Sequence, residues 1–485
     1  MASQRPVSIG IIGAGPAGIA AGHELLKQGF TDFTLYEALD APGGTWHLHT
    51  YPGLACDVWA HSYSFSYAPN PDWTASFVEQ PEIQAYLADC ATRFGLDPHM
   101  RFNTRIQRAR YLAEGGWLLA TEAGEEFRCD VLINAMGNQH TPLYPDVPGM
   151  DSFQGDAWHA TRWNHAVDLK GKKVVVVGSA ASAVQIVPEV ASQAAHLTVL
   201  QRSPNWIMPR RRKQYSAAQR QRFRRFPWLI KLTRWFQRTL MGQVHHAVTL
   251  GHKRMGQFET MAKNYIESAI EDPQLRKTLT PDSHYGCKRG LVSDDFYPAL
   301  NRDNVELVAA GLAEVTPQGL VTEDGQVIDA DVIIYCTGYR IMDYDRIEVI
   351  GASGKSLADT MGDAPRAYKG IAVPDFPNYF FAVGPNGLVL NVSYFITAER
   401  NVETIVNLLS GMREAGIKSL APRQDKFDSY NAWMDQRFPD FSWAAADCNS
   451  YYTNASGHAP FLFPGSFKEY RALHQSCSLA EFETS

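Results

Sequence analysis

Cysteine is scarce and dispersed in this chain: seven residues, at 56, 90, 129, 287, 336, 448 and 477, with no C-x-x-C pair. Such a set excludes a dithiol–disulfide reductase and reads as unpaired, reduced thiols in a cytoplasmic setting. Long apolar runs are absent too. None reaches the ~18–20 residues that a membrane-spanning helix needs. The opening Met-Ala-Ser-Gln-Arg-Pro runs straight into a strand, so no signal segment is expected. Acidic residues are missing from a whole stretch: between Arg202 and Phe258 there is no Asp or Glu, against fourteen Lys or Arg. No recognition motif accompanies that charge, which excludes nucleic acid as the expected partner. No metal site is expected either.

What remains is an ordinary globular composition, 45% hydrophobic with a net charge of −6 over 485 residues. That length suggests two to three domains. Val7–Ile12 is a short apolar strand, and Gly13-Ala-Gly-Pro-Ala-Gly18 follows it at once. A helical pattern then runs to Gly29, before a second strand, Phe33–Glu37. This is the dinucleotide fingerprint in its required setting. Gly13 permits the tight turn, Gly15 lets a pyrophosphate approach the backbone, and Gly18 lets helix and strand pack closely. Glu37 is placed to accept both hydroxyls of an adenosine ribose. Ala14 and Ala17 complete the loop.

The same pattern returns 165 residues later, mapping Gly13 onto Gly178 and Glu37 onto Arg202. The second loop reads Gly178-Ser179-Ala180-Ala-Ser182-Ala183, with alanines in place of two glycines. An acid at the ribose position suits free hydroxyls, whereas an arginine suits a 2′-phosphate. The first unit therefore reads as FAD-binding and the second as NADPH-binding, unless Arg202 is only a solvated surface arginine. The methyl at Ala180 implies that the loop stands back from its ligand or that NADPH binds loosely. The fold class expected is α/β, with two Rossmann-like domains.

Between the two units lies Phe153-x-Gly155-x-x-x-His159-x-x-x-Trp163. This stretch resembles the fingerprint of the type I Baeyer–Villiger monooxygenases, within the class B flavoprotein monooxygenases. Asn164 stands where that family has Pro or Asp. Further segments resemble the family in its own order: Gly43-Gly44-Thr45-Trp46 with Tyr51–Asp57, Ile133–Gly137, Cys287–Gly290 and Val332–Gly338. The resemblance implies an NADPH- and O2-consuming enzyme that converts ketones to esters or lactones through a flavin C4a-peroxide. It also implies that Arg289 stabilises anionic oxygen, because an arginine does not give up its proton. Asp57 would hold that guanidinium. Gly44, Thr45, Trp46 and Tyr63 would lie by the flavin, and Thr337 and Gly338, at the link between domains, would also contact a cofactor. Ser203 and Lys288 would meet the 2′-phosphate, though Lys288 reads nearly as well as a solvated lysine. His159 is expected in a hinge between the units, not as a base at the ketone. At the tail, Tyr451 replaces a tryptophan usual in the family's mobile loop.

The expected domains are 1–150, the first part of the FAD domain, 151–373, the NADPH domain with a helical insert at about 212–280, and 374–485, the remainder of the FAD domain with a C-terminal loop. The basic insert has two readings. The favoured one is a helical subdomain with its arginines on the wet face; the other is peripheral contact with an anionic membrane. Asn386–Phe395 either lines the pocket or is plain loop packing. Two other functions stand behind the leading one: a flavin monooxygenase acting on nitrogen or sulfur, and a non-catalytic FAD-binding redox protein. The ketone and the oligomeric state are not written in any spacing.

Overall fold

Two five-stranded parallel sheets organise the computed structural model, which describes residues 7–485 except 342, 446, 447, 449, 451 and 454–458. The first sheet is ordered Tyr379–Phe381, Val131–Asn134, Ile9–Ile12, Phe33–Tyr36, Met100–Arg101. The second is ordered Asp156–His159, Val332–Tyr335, Lys173–Val177, His196–Leu200, Val305–Val308. All neighbours within each sheet run parallel. Their central strands are buried on both faces, as continuous apolar runs such as Ile-Gly-Ile-Ile and Val-Val-Val-Val require. The expected α/β class with two Rossmann-like units is what the chain forms.

Each unit also carries a three-stranded antiparallel meander in the same place, before the strand that returns to the sheet. In the first it is Ile106–Tyr111, Trp117–Thr121 and Glu126–Cys129; in the second, Leu312–Thr316, Gly319–Thr322 and Val327–Asp329. The units exchange chain at their edges. The first sheet takes Tyr379–Phe381 from beyond the second unit, and the second takes Asp156–His159 from the stretch before it. Glu348–Ile350, inside the range expected for the second unit, pairs with Arg108–Arg110 of the first unit's meander.

Phe153–Trp163 is thus no free connector. Its centre is an edge strand, and His159 ends that strand opposite Tyr335. Gly155 lies under the Phe153 ring and against the Asp331 carbonyl, where a methyl would come within 2.4 Å of that oxygen. Trp158 meets Trp163 edge-on at 5.5 Å between ring centroids.

The basic insert folds as helices Ala217–Arg225, Pro227–Ala247, Lys253–Ala269 and Pro273–Leu279. It is a helical subdomain, but its wet face is not simply arginine: Trp228 and Trp235 are exposed while Arg234 is buried. No helix among the described residues is long and apolar enough to cross a membrane. The expectation of unpaired thiols fails. Cys287 and Cys448 form a disulfide with Cα atoms 5.4 Å apart, across 161 residues of sequence. Only the fold brings them together, so no local spacing could announce the pair. Cys56, Cys90, Cys129, Cys336 and Cys477 stay free.

Candidate active site

The first glycine loop is built to its sterics. Gly13 has φ +102°, and a methyl there would lie 2.7 Å from the Ala135 carbonyl oxygen. A methyl on Gly18 would lie 2.0 Å from the carbonyl oxygen of Gly13, so helix Pro16–Lys27 closes directly onto the turn. Gly15 faces Gly44 across a gap: a methyl on Gly44 would approach the Cα of Gly15 to 2.9 Å. Two glycine turns, one from each loop, leave this slot clear of side chains. The helix beginning there has no side-chain cap and no acid in its first turn, so its N–H groups and positive dipole end suit a diphosphate. Glu37 is buried beside it. Its Oε2 accepts from the Ala14 N–H at 2.7 Å and its Oε1 from the Leu39 N–H at 2.9 Å, which fixes the carboxylate at the end of the strand. A slot a Cβ would fill, an uncapped helix and a fixed acid together fit the adenine dinucleotide of FAD.

The second loop repeats the turn with looser packing. Gly178 has φ +110°, and a methyl there would meet the Cys336 carbonyl oxygen at 2.6 Å, just as Gly13 meets that of Ala135. Ala180 caps helix Ala181–Ala191 with φ −89° and ψ −162°, close to the −75° and −172° of Gly15. Ala180 therefore needs no glycine-like backbone. Ala183 carries its methyl fully buried where Gly18 has no room for one, so this helix stands farther from its turn. At the end of the next strand, Lys288 Nζ donates to Ser203 Oγ and to the Pro204 carbonyl. Burial, then the charge of Arg202, lowers the pKa of Lys288. Two cations beside a hydroxyl fit the 2′-phosphate of NADPH.

Loop Tyr51–Asp57 of the first unit docks on the second unit's helix. Tyr51 donates its hydroxyl to Gln185 Oε1 at 3.1 Å, and Gln185 Nε2 donates to the Ala55 carbonyl at 2.8 Å. The backbone at Gly53 is so close that a methyl would stand 2.4 Å from the Gln185 carbonyl oxygen. Ser182, in that helix's first turn, lies beside the Tyr51 hydroxyl and acts against its burial-raised pKa. At the end of this loop Arg289 Nη2 donates to Asp57 at 2.7 Å. Asp57 and Arg289 are 232 residues apart in sequence, and the fold joins them where the two units face each other. Cys287, two residues before Arg289, is tied to the C-terminal segment by its disulfide. Trp46 Nε1 donates to the Tyr63 hydroxyl at 3.0 Å, and Tyr63 packs edge-on against Phe395.

The two chain crossings between the units are zipped together. Leu143 N–H donates to the Gly338 carbonyl at 3.0 Å, Arg340 N–H to that of Thr141 at 3.1 Å, and Thr337 Oγ1 to that of Leu143. His159 is buried beside this zipper, between the rings of Tyr144 at 5.5 Å and Tyr339 at 6.0 Å. Its Nδ1 accepts from the Thr161 N–H. Burial drives its pKa down to about 4, against the pull of the Gly338 carbonyl, so the ring is neutral near pH 7. Tyr394 and Gly384 line a cavity of about 40 Å³ beside Ala135–Gly137, whereas Asn386 is buried, its amide donating to the Ala459 and Leu462 carbonyls. Asn386 is thus packing, and Tyr394 borders only this small cavity. Tyr451 lies outside the described residues. Gln185 and Tyr51 were missed as site residues, since neither a glutamine within a helix nor a tyrosine within a loop carries a spacing signal.

The flavin-binding monooxygenase-like family matches residues 7–350. A Baeyer–Villiger monooxygenase of Streptomyces coelicolor is 38% identical over 98% of this chain and 92% of its own. The chain belongs to this family. A second Baeyer–Villiger monooxygenase, from Pseudomonas aeruginosa, is 36% identical over 97% of this chain and 90% of its own. Among solved structures, the cyclohexanone monooxygenase of Rhodococcus sp. Phi1 bound to NADP+ is similar at a TM-score of 0.88 and 27% identity, covering 99% of this chain and 100% of that one. OTEMO in complex with FAD and NADP is similar at a TM-score of 0.88 and 26% identity, covering 99% of each chain.

Proposed function

We propose that this monooxygenase binds FAD in its first unit and NADPH in its second, and converts a ketone, O2, NADPH and a proton into an ester or lactone, water and NADP+. The observation that carries the reading is the Arg289–Asp57 pair at the junction of the flavin-side loop and the second unit's helix. The hydride and dioxygen chemistry is supplied by FAD when bound. Gly13, Ala14, Gly15, Ala17 and Gly18 hold its diphosphate, Glu37 its ribose, and Gly44, Thr45, Trp46, Asp57 and Tyr63 flank the flavin. Gly178, Ser179, Ala180, Ser182 and Ala183 form the pyrophosphate loop for NADPH, and Arg202, Ser203 and Lys288 take its 2′-phosphate. Arg289 offers a permanent cation to anionic oxygen and to the charge that develops on the ketone oxygen, and Asp57 keeps the guanidinium aimed. His159, with Thr337 and Gly338, positions the two units about their crossings. In this division the second unit closes near residue 340, since Glu348–Ile350 pairs with the first. A cytoplasmic setting is part of the same proposal; it rests on the cofactor reading, because the Cys287–Cys448 disulfide withdraws the argument from thiols.

The test is Arg289→Ala. Bleaching of the flavin by NADPH should stay within a few-fold of wild type, while oxygenation of a ketone panel, followed by mass gain of one oxygen, falls about 10²–10³-fold, the usual effect of losing an oxyanion donor. Oxygenation near the wild-type rate would remove Arg289 from the chemistry. N- or S-oxides without any ester would move the enzyme to heteroatom oxidation.

A further inference from the structure

Helix Pro227–Ala247 has its polarity reversed. A surface helix ordinarily buries its apolar stripe and shows its polar face to water. Here the buried face includes Arg234 and Gln237 beside Ile230 and Met241. The Arg234 guanidinium donates to the carbonyls of His61 and Ser64 and to Ser64 Oγ, and Gln237 Oε1 accepts from Ser62 Oγ at 2.8 Å. The opposite face is aromatic and aliphatic, with Trp228 59%, Leu232 53%, Trp235 64% and Phe236 57% exposed. At ~100° per residue these four fall within an arc of about 100°, and Leu240 extends it. Phe226, at the start of the helix, is exposed as well.

The charge carried by this helix and the one before it has one sign, although Arg224 pairs with Asp72 of a neighbouring loop. Lys231 and Arg238 are exposed and border one edge of it, and Arg222 and Arg225 are exposed on the preceding helix. Neither helix contains an acid. A contiguous exposed apolar patch marks an interaction surface, and Trp and Phe flanked by Lys and Arg is the pattern of a helix lying in a bilayer interface. A second copy of the chain fits this face poorly. Two-fold pairing would set Lys231 and Arg238 near their own counterparts, with no acid on either helix to meet them.

We infer that this face docks the enzyme peripherally on an anionic lipid bilayer, with Trp228, Leu232, Trp235 and Phe236 entering the headgroup region and the flanking cations meeting lipid phosphates. The helix lies on the surface and does not cross it. The surface stands independently of the oxygenation chemistry, which occupies other residues.

Sedimentation of the FAD-loaded enzyme with sucrose-filled vesicles tests it. Phosphatidylcholine vesicles with ~25 mole per cent phosphatidylglycerol should pellet the protein at low salt, and phosphatidylcholine alone, or about 0.5 M salt, should weaken partitioning at least ~10-fold. Trp228→Ser/Trp235→Ser and Lys231→Glu/Arg238→Glu should each lose it ~10-fold or more, with FAD absorbance and NADPH oxidation in the absence of vesicles unchanged. Wild-type protein that stays in the supernatant with the anionic vesicles overturns the proposal. So does a concentration-dependent dimer in analytical ultracentrifugation that the tryptophan variant abolishes while wild type ignores vesicles, which would give the face to a second copy.

Discussion

The first glycine loop has no room for a methyl at the position where the second loop carries one. Gly18 and Ala183 correspond, but a Cβ on Gly18 would overlap the Gly13 carbonyl oxygen at 2.0 Å, while that of Ala183 is buried without difficulty. The two units share strand order, meander and turn, so the difference lies in how closely the helix is drawn onto the turn. The first unit is closed from both sides, by Gly18 within and by Gly44 from the facing loop. The second keeps the turn glycine, Gly178, and relaxes the rest. A tight cradle suits a cofactor that stays, and a looser one suits a cofactor that exchanges at every turnover.

Gly18→Ala should break this asymmetry with the largest effect. The overlap is with backbone, so the helix must move; overpacking of this kind costs about 1–3 kcal/mol or more. The purified variant is expected to lose most of its FAD, read as the flavin-to-protein absorbance ratio, and to melt several degrees lower. The mirror change, Ala183→Gly, should retain FAD fully. Equal FAD content in the two variants would mean that the loops are not differently packed.

Acid should separate the units next. Burial lowers His49, His61 and His159 to about 4, and His140 and His474 to about 3. An unfolded histidine titrates near ~6.5, so between that pH and ~4 the unfolded chain takes up protons that the folded one refuses. The stability these rings contribute is whole above that window and is lost as pH falls through it, on the order of 1 kcal/mol per histidine per pH unit. Three of the five, His49, His140 and His159, gather at the crossings between the units, where His49 stacks on Tyr339 and Arg162 donates to the His140 carbonyl, while His61 packs on Tyr215 and Phe223 beside the basic insert and His474 on Tyr470. Loosening at the crossings should weaken the hold of each unit on the other, so flavin fluorescence should rise, as FAD is released, together with the fall in melting temperature. A melting temperature that does not change between pH 7 and 5 would contradict the buried neutral rings.

Much of this was legible because it is local. Strand, glycine loop, helix and strand lie within thirty-odd residues, so Gly13–Glu37 and Gly178–Arg202 declared two units and their opposite ribose-end charges. The resemblance carried the meeting of Asp57 and Arg289, which no spacing could supply. What stayed hidden depends on chain brought from far away. Asp-Ala-Trp-His at 156–159 has no period-two alternation, yet it becomes an edge strand because Val332–Tyr335 offers it a free side. Glu348–Ile350 is too short to show any pattern, and Cys287 finds Cys448 only through the tertiary fold. The insert's arginines were visible, but which face they took was not. Arg234 turned inward because loop carbonyls at His61 and Ser64 were there to receive it.

The ribose ends differ in charge, and a smaller perturbation should expose that. Arg202→Gln removes one of the two cations near Ser203 while Lys288 remains. The Michaelis constant for NADPH should rise about 10-fold, close to the low end of the ~1.5–3 kcal/mol typical of a charged hydrogen bond, with that for NADH nearly unchanged. A parallel rise for both cofactors would show that Arg202 supports the loop rather than the phosphate.

The smallest expected effect is at Ala180. Its backbone already has the extended conformation of Gly15, so Ala180→Gly asks for no change of path, and its exposed methyl touches the space where a pyrophosphate would lie. Removing the methyl lets the diphosphate approach the helix N-terminus, where the N–H groups lack a side-chain cap. Against that stands glycine's greater freedom in the unfolded loop, worth roughly 0.5–1 kcal/mol. The approach should win for binding and the entropy for stability. The Michaelis constant for NADPH is expected to fall two- to three-fold, about 0.5 kcal/mol, while the melting temperature drops slightly and FAD content is untouched. A constant that stays put would mean that the second helix, held back by Ala183, already stands too far away for one methyl to matter.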